Sequence, residues 1–323
     1  MRLALRALNK FKRIKKRISS RLRDFRKAQE MRLWSRNQKE LFAVLKAEIE
    51  EGNQKTLSDC EITVTFSSRY FGSEDNLLDQ ALLSLAQYTH DKDRLEVLIK
   101  VDEDDYLPYF VRIIRRYRYL LPIRCFVSPR GRGYEDIYRF NADLIAKASP
   151  GSKVWQGICE GAKFEMAGWD RMLMKTIEAS GKYYFVGTQA TFEASKVIQG
   201  PFDIYKPHEI YHIGAEDYPF VSFKLLKLIE RATEGRPRWS CLGATSFSDC
   251  FMADLIRLCH DVYGNNIHVQ VPSYVHRTGS FNWALDPVRL QKRTLILAEF
   301  FNKANREARL QIAQRVHQAL EEK

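Results

Sequence analysis

The sequence predicts an α/β protein with a mostly parallel central sheet flanked by helices. Three observations carry this. Short β-rich runs alternate with helical periodicities between residues 61 and 159, the strand–helix order repeats along that span, and polar residues cluster where the runs end. Repeated strand–helix order selects a parallel sheet under helices.

Taken in order, Ile62 to Phe66 is a β-rich run followed by the small loop Ser67-Ser68-Arg69. From Asn76 to Tyr88, Leu77, Leu78, Ala81, Leu82 and Leu85 recur at helical spacing. Leu95 to Val101 is the second strand, ending in Asp102-Glu103-Asp104-Asp105. A helix from Tyr109 to Tyr119, a strand from Ile123 to Val127 and the loop Pro129 to Gly133 follow. A helix from Tyr134 to Lys147 then leads to a strand from Lys153 to Cys159, closed by Glu160-Gly161. Sheets of this kind bind ligands outside the carboxyl ends of their strands. The residues to watch are therefore Ser67 to Arg69, Asp102 to Asp105 and Cys159 to Gly161. Beyond Gly168 the rhythm is irregular, with strands expected at Tyr183–Val186 and Val269–Val271 and a helix at Phe247–Val262. Pro287 to Glu322 reads as amphipathic helix, with Pro287 suited to a first turn.

The net charge of +12 is local. Residues 1–40 hold fifteen Lys/Arg and three Asp/Glu, and the rest of the chain is balanced. A neutral body argues against a fold that grips nucleic acid as a whole. Residues 1–23 carry ten basic residues and no acid, and Leu8, Phe11, Ile14, Ile18, Leu22 and Phe25 form an apolar stripe. Such a helix suits an anionic membrane surface, where each Lys or Arg contributes about 1 kcal/mol. A docked or partner-binding helix, an electrostatic grip on nucleic acid and a transit peptide share the pattern. A second helix is expected from Arg32 to Glu51, with Gly52-Asn53 as stop and linker. No apolar run approaches the roughly 20 residues of a membrane span. The six cysteines form no CxxC pair and read as reduced, buried thiols of a cytoplasmic chain. The expected organisation is a basic helical arm at 1–58, an α/β domain at 59–285 and a helical extension at 286–323.

Four successive carboxylates at a strand's end repel one another unless a cation, a donor or water relieves them. Asp102 to Asp105 suits recognition of a base or ribose, and equally an acidic helix start favoured by the macrodipole. Arg130-Gly131-Arg132-Gly133 has the groups to hold phosphate, as would many exposed loops. His208 and His212 lie between Pro207 and Gly214, which argues against the helical face a zinc pair requires. Neither a nucleophile elbow nor a P-loop is present. The loop Ser67 to Gly72 also lacks the Gly-rich, Lys-bearing character expected of a nucleotidyltransferase.

The order of these features resembles the GT-A fold of inverting, family-2-like glycosyltransferases. The matching stretches are Ile62–Arg69, Val101–Asp105, Gly133-Tyr134 through Asn141, Val154–Glu160, Gly168-Trp169-Asp170, Ser248–Asp254 and Val269–His276. The resemblance spans roughly residues 61–280. It implies transfer of a sugar, of the hexosyl type, from a UDP- or GDP-type nucleotide sugar to a hydroxyl of a glycan or other acceptor. Ser67, Arg69, Asp102, Asp104 and Asn141 would bind the nucleotide, and Asp249 would be the general base of a direct displacement. Asp249 or Ser248 would equally serve as the cap of the following helix.

One departure stands out. The family pattern wants two aspartates after the fourth strand, and this sequence has Glu160-Gly161-Ala162-Lys163, a degenerate DxD motif. Three outcomes stay open. Glu160, helped by His276 and Glu165, would hold Mn²⁺ or Mg²⁺ together with water and donor phosphates. In a metal-independent site, Lys163, Arg69, Arg130 or Arg132 would neutralise the diphosphate instead. A silent relative would keep only the fold and bind through its arm, to an anionic membrane or, less favoured, nucleic acid. The location expected for the active form is cytoplasmic and peripheral to the inner membrane face through residues 1–27.

Overall fold

The computed structural model describes residues 25, 28–30, 32–34, 36, 38–53, 57–68, 70, 77–129, 143–158, 162–187, 220–232, 248–271, 275–277 and 303–322. Four parallel strands form one half of the sheet: β1 (Ile62–Ser68), β2 (Leu95–Asp102), β3 (Ile123–Ser128) and β4 (Val154–Ile158). Ile62 aligns with Leu95 on one side and Val154 on the other, and Val97 aligns with Ile123. A short pair, β5 (Ala162–Phe164) and β9 (Val275–Arg277), stands apart as an antiparallel ribbon. The other half of the main sheet comprises β6 (Tyr184–Gly187), β7 (Phe220–Ser222) and β8 (His268–Val271). The order is β3-β2-β1-β4-β7-β6-β8, with β7 antiparallel to both neighbours and β6 parallel to β8. The fold class is thus mixed α/β with a mostly parallel sheet, as expected. The antiparallel insertion of β7 and the β5–β9 ribbon were not anticipated, because three-residue strands fall below the length at which periodicity speaks.

The helices are α1 (residues 38–49), α2 (Leu77–Tyr88), α3 (Leu107–Tyr117), α4 (Trp169–Ser180), α5 (Phe223–Ala232), α6 (Ser248–Tyr263) and α7 (Lys303–Glu321). Helix α3 starts two residues before the expected Tyr109, because Pro108 fits a first turn, where its missing N–H is not needed. Of the helix expected at Tyr134–Lys147, residues 130–142 lie outside the described residues and 143–145 are helical. Much of Pro287–Glu322 also lies outside; what is described of it is α7 and Glu322.

The pleat sorts the side chains into two cores. On one face Val64, Phe66, Val97, Ile99, Val101, Cys125 and Val127 meet Leu78, Leu82 and Leu85 of α2 and Phe110 and Ile114 of α3. A second core gathers Trp155, Val221, Leu225, Ile229, Leu255, Ile256, Cys259, Ile312 and Val316 from β4, β7, α5, α6 and α7. Trp155 Nε1 donates to Thr65 Oγ1 at 3.0 Å, and a Cβ on Gly157 would come within 2.8 Å of the indole. Glycine there is what lets the ring lie along its own strand.

The second face is not apolar throughout. Glu96, fully buried, accepts from Thr63 Oγ1 (2.7 Å), Arg124 Nη2 (2.6 Å), Ser149 N (2.6 Å) and Ser149 Oγ (2.9 Å). These donors fix the turn that feeds β4 into its slot beside β1. At the sheet's edge, β3 is covered by side chains from the segment after α1, through Asn53 and Glu50. The described cysteines, Cys60, Cys125 and Cys259, are buried free thiols. Burial, with Glu96 nearby, pushes the Cys60 thiol up to about 11, and burial pushes Cys259 up to about 12. Among the described residues no helix is long and apolar enough to cross a membrane.

Candidate nucleotide site at the carboxyl ends of the strands

The chain winds from β1 through β2 to β3 on one side, then returns to lay β4 on the other side of β1. That reversal between β1 and β4 is a topological switch point, and open parallel sheets take ligands outside the carboxyl ends of the strands at such a point. Among the described residues, three strand ends meet this edge: Ser68 of β1 with Tyr70 beyond it, the turn Asp102 to Asp105 that closes β2, and Ile158 of β4. The sequence had selected these segments, and the sheet order brings their described ends to one edge.

The four carboxylates after β2 separate into different roles. Residues 102–105 form a tight turn, closed by Asp105 N donating to Asp102 O at 3.1 Å and held to β3 by Glu103 N donating to Ser128 O at 3.0 Å. Asp105 is buried, and its carboxylate accepts from Tyr70 N at 2.9 Å and Tyr106 N at 2.8 Å. It therefore ties the loop after β1 to the start of α3. Glu103 and Asp104 are exposed at the tip of the turn. Asp102 pairs with the ammonium of Lys100, two residues back on the same face of β2. The repulsion foreseen among four acids is relieved by backbone N–H groups at Asp105 and a lysine at Asp102, while Glu103 and Asp104 sit at the exposed tip. Sequence reasoning passed over Lys100; the signal was a lysine two residues before the acids, inside a β-rich run.

An aromatic cluster walls the same region. Tyr70 stacks on Tyr109 with ring centroids 4.8 Å apart and lies 5.3 Å from Tyr106, whose ring meets Trp34 edge-on. Burial and the nearby Glu30 carboxylate raise the Tyr70 phenol above its ordinary value. Residues at and before the start of α1 thus reach the site: Trp34 packs against this cluster, and Gln38 Nε2 donates to Glu103 O at 3.3 Å.

Beyond β4, Phe164 N donates to Ser84 Oγ at 3.0 Å, which fixes the β5–β9 ribbon on α2. Ribbon register sets His276 opposite Lys163. Lys163 points to solvent and pairs with Glu165 at 3.2 Å. Arg69, Arg130, Arg132, Asn141, Glu160, His208 and His212 lie outside the described residues. Ser67, Asp249 and His276 are described as positions only: the penultimate residue of β1, the first turn of α6 and the middle of β9. Among the described residues no group of three or more His, Cys, Asp or Glu is arranged to hold a metal.

Gly168-Trp169-Asp170 has a structural job. Gly168 N donates to Tyr88 O at 2.9 Å, and Trp169 Nε1 donates to Thr89 Oγ1 at 3.2 Å. The buried Asp170 carboxylate accepts from His90 N at 3.0 Å and Asp91 N at 2.7 Å. The motif binds the end of α2 to the start of α4, and the positive φ of Gly168 (70°) makes the entry to α4.

No family model matches the sequence, and no curated protein matches it. Among solved structures, the chain is similar to TarS 1–349 from S. aureus in complex with UDP, at 14% identity over 78% of this chain and 69% of that one, with a TM-score of 0.46. A longer TarS structure is covered over 42% of its length, at 13% identity and a TM-score of 0.44. The mannosyltransferase PcManGT from Pyrobaculum calidifontis in complex with GDP-Man and Mn²⁺ gives 12% identity, 90% and 84% coverage, and a TM-score of 0.48. The 4-diphosphocytidyl-2C-methyl-D-erythritol synthase from Anaerococcus prevotii gives 13% identity, 75% and 100% coverage, and a TM-score of 0.41.

Proposed function

We propose that this chain is a glycosyltransferase that moves a sugar from a UDP- or GDP-type nucleotide sugar to an acceptor hydroxyl by direct displacement. The observation that carries the reading is the winding reversal between β1 and β4, with the Asp102–Asp105 turn beside it. Ser67, Arg69, Asp102, Asp104 and Asn141 take the nucleotide. Asp249, in the first turn of α6, takes the proton of the attacking hydroxyl, which requires a base within hydrogen-bond reach.

Glu160 and His276 are the proposed metal ligands. Glu160 follows the end of β4 by two residues and precedes β5 by two, and β9 carries His276 alongside β5. One carboxylate and one imidazole fit Mn²⁺ or Mg²⁺ when diphosphate oxygens and water complete the shell. When bound, such an ion supplies charge neutralisation on the leaving diphosphate. The basic arm, residues 1–27, is assigned to an anionic membrane surface, where a cytoplasmic enzyme would meet its acceptor. Within that stretch Phe25 is described, and it is 61% exposed.

A thermal-shift panel of UDP, GDP and their sugar conjugates, with and without Mn²⁺, tests the reading. A ligand at a hundred times its Kd adds about 2.7 kcal/mol of stability. A complete absence of shift across the panel sinks the proposal. Glu160→Ala is expected to abolish the Mn²⁺-dependent part of any shift and leave the rest.

A further inference from the structure

A lysine inside a strand buried on both faces needs a reason. Lys100 is 4% exposed and is the one buried lysine among the described residues. Its neighbours along β2 are apolar except for Asp102 and Glu96 on the same face, and Glu96 is already served by Arg124, Thr63 and Ser149. An ammonium taken out of water is costly, and an apolar residue of similar volume serves stability as well or better. The ion pair with Asp102 is thus poorly explained by stability alone.

Its geometry suggests the explanation. The Asp102 side chain is 13% exposed and that of Lys100 is 5% exposed, so the pair turns its carboxylate towards solvent and keeps its ammonium inside. The backbone beneath is fixed from several sides: Asp105 N on Asp102 O, Glu103 N on Ser128 O, and the Asp105 carboxylate on Tyr70 N and Tyr106 N. A carboxylate held this firmly at the carboxyl end of a central strand is preorganised to accept hydrogen bonds, and preorganisation removes part of the cost of binding.

We propose that Lys100 is a positioning residue for nucleotide recognition. It holds the Asp102 carboxylate in one orientation, from which it accepts a hydrogen bond from the ribose or base of a nucleoside diphosphate. This rests on the nucleotide-sugar reading above.

The test is titration calorimetry with UDP and GDP on the full chain, using Lys100→Met, Asp102→Asn and the double variant, beside melting temperatures. Lys100→Met and Asp102→Asn each weaken the nucleotide that binds the wild type by tenfold or more, and the double variant is no weaker than Asp102→Asn alone. Lys100→Met also melts earlier, because it removes the ammonium from beside a half-buried carboxylate. The double variant, with no charge left unpaired, recovers melting temperature but not affinity. If Lys100→Met does not fold, Lys100→Arg, which keeps the charge but displaces it, is titrated in its place, and wild-type affinity in it would overturn the inference. Affinity that recovers together with stability, losses that multiply in the double variant, or wild-type affinity in Lys100→Met would each overturn the inference while leaving the functional reading intact. A wild-type chain that binds neither nucleotide overturns both.

Discussion

The side-chain amide of Asn53 pairs in both directions with the backbone of Cys125. Its Nδ2 donates to Cys125 O at 2.6 Å, and Cys125 N donates to its Oδ1 at 2.9 Å. Two residues along, Val127 N donates to Glu50 Oε1 at 2.9 Å. Strand β3 is the edge of the sheet, and an exposed edge is a template for pairing with another chain. Here two side chains occupy the positions that a further strand would fill. A stretch that read as a linker is an edge cover, anchored further by Arg118 Nη1 on Glu51 at 2.6 Å.

Asn53→Ala is therefore expected to lower stability by about 1–3 kcal/mol, the range for leaving buried polar groups unpaired. It should also promote self-association through β3. Chemical denaturation and light scattering check the two effects, and an unchanged denaturation midpoint would show that water replaces the amide without loss.

Glu96→Ala removes the acceptor for Thr63, Arg124 and Ser149 at once and leaves the Arg124 guanidinium buried without its charge partner. Breaking a buried pair from one side costs about 3–5 kcal/mol. A loss below 1 kcal/mol in urea unfolding would mean that the network reorganises and does not hold β4 in place.

Asp170→Ala separates the structural from the functional reading of Gly168-Trp169-Asp170. Losing two hydrogen bonds to a charged acceptor should cost about 1.5–3 kcal/mol in unfolding. Nucleotide affinity should stay within about twofold of the wild type, since the residue serves the helix junction. A specific loss of affinity at unchanged stability would return the motif to the site.

Glu61 predicts an acid limb. Burial disfavours its carboxylate, yet Lys153 at 2.6 Å and Arg94 hold the carboxyl below its ordinary 4.5. The unfolded chain therefore takes up the proton first as pH falls. The contribution is complete above 4.5 and is lost as pH drops through the lower folded value. Glu61→Gln should be less stable at pH 7 and should lose less further stability between about pH 5 and 3. Parallel wild-type and variant curves over that range would show that the carboxylate is not the acid-sensitive group.

Most of the first sheet half was legible because each strand announces itself within its own residues. Ile62–Phe66, Leu95–Val101 and Ile123–Val127 are apolar runs bounded by polar turns, and β1, β2 and β3 each lie within two residues of them. The candidate site was legible as segments, because ligand sites follow strand ends. What stayed illegible was pairing at a distance. Nothing local marks Phe220–Ser222 as an antiparallel insertion, or sets β9 against β5.

By itself, the sequence determined the fold class, the polarity of the chain's two parts and the strand ends at which polar residues cluster. Apolar periodicity and charge are properties of neighbouring residues, and they survive without a partner. Only the tertiary structure decided what each acid of Asp102 to Asp105 does. Adjacent carboxylates are alike in a sequence and become different when a backbone N–H from Tyr70, a buried Lys100 or open solvent faces each one. The same holds for Asn53, which serves a strand 72 residues away. Those partners come from distant segments, and the free energy that distinguishes the residues exists only once the segments meet.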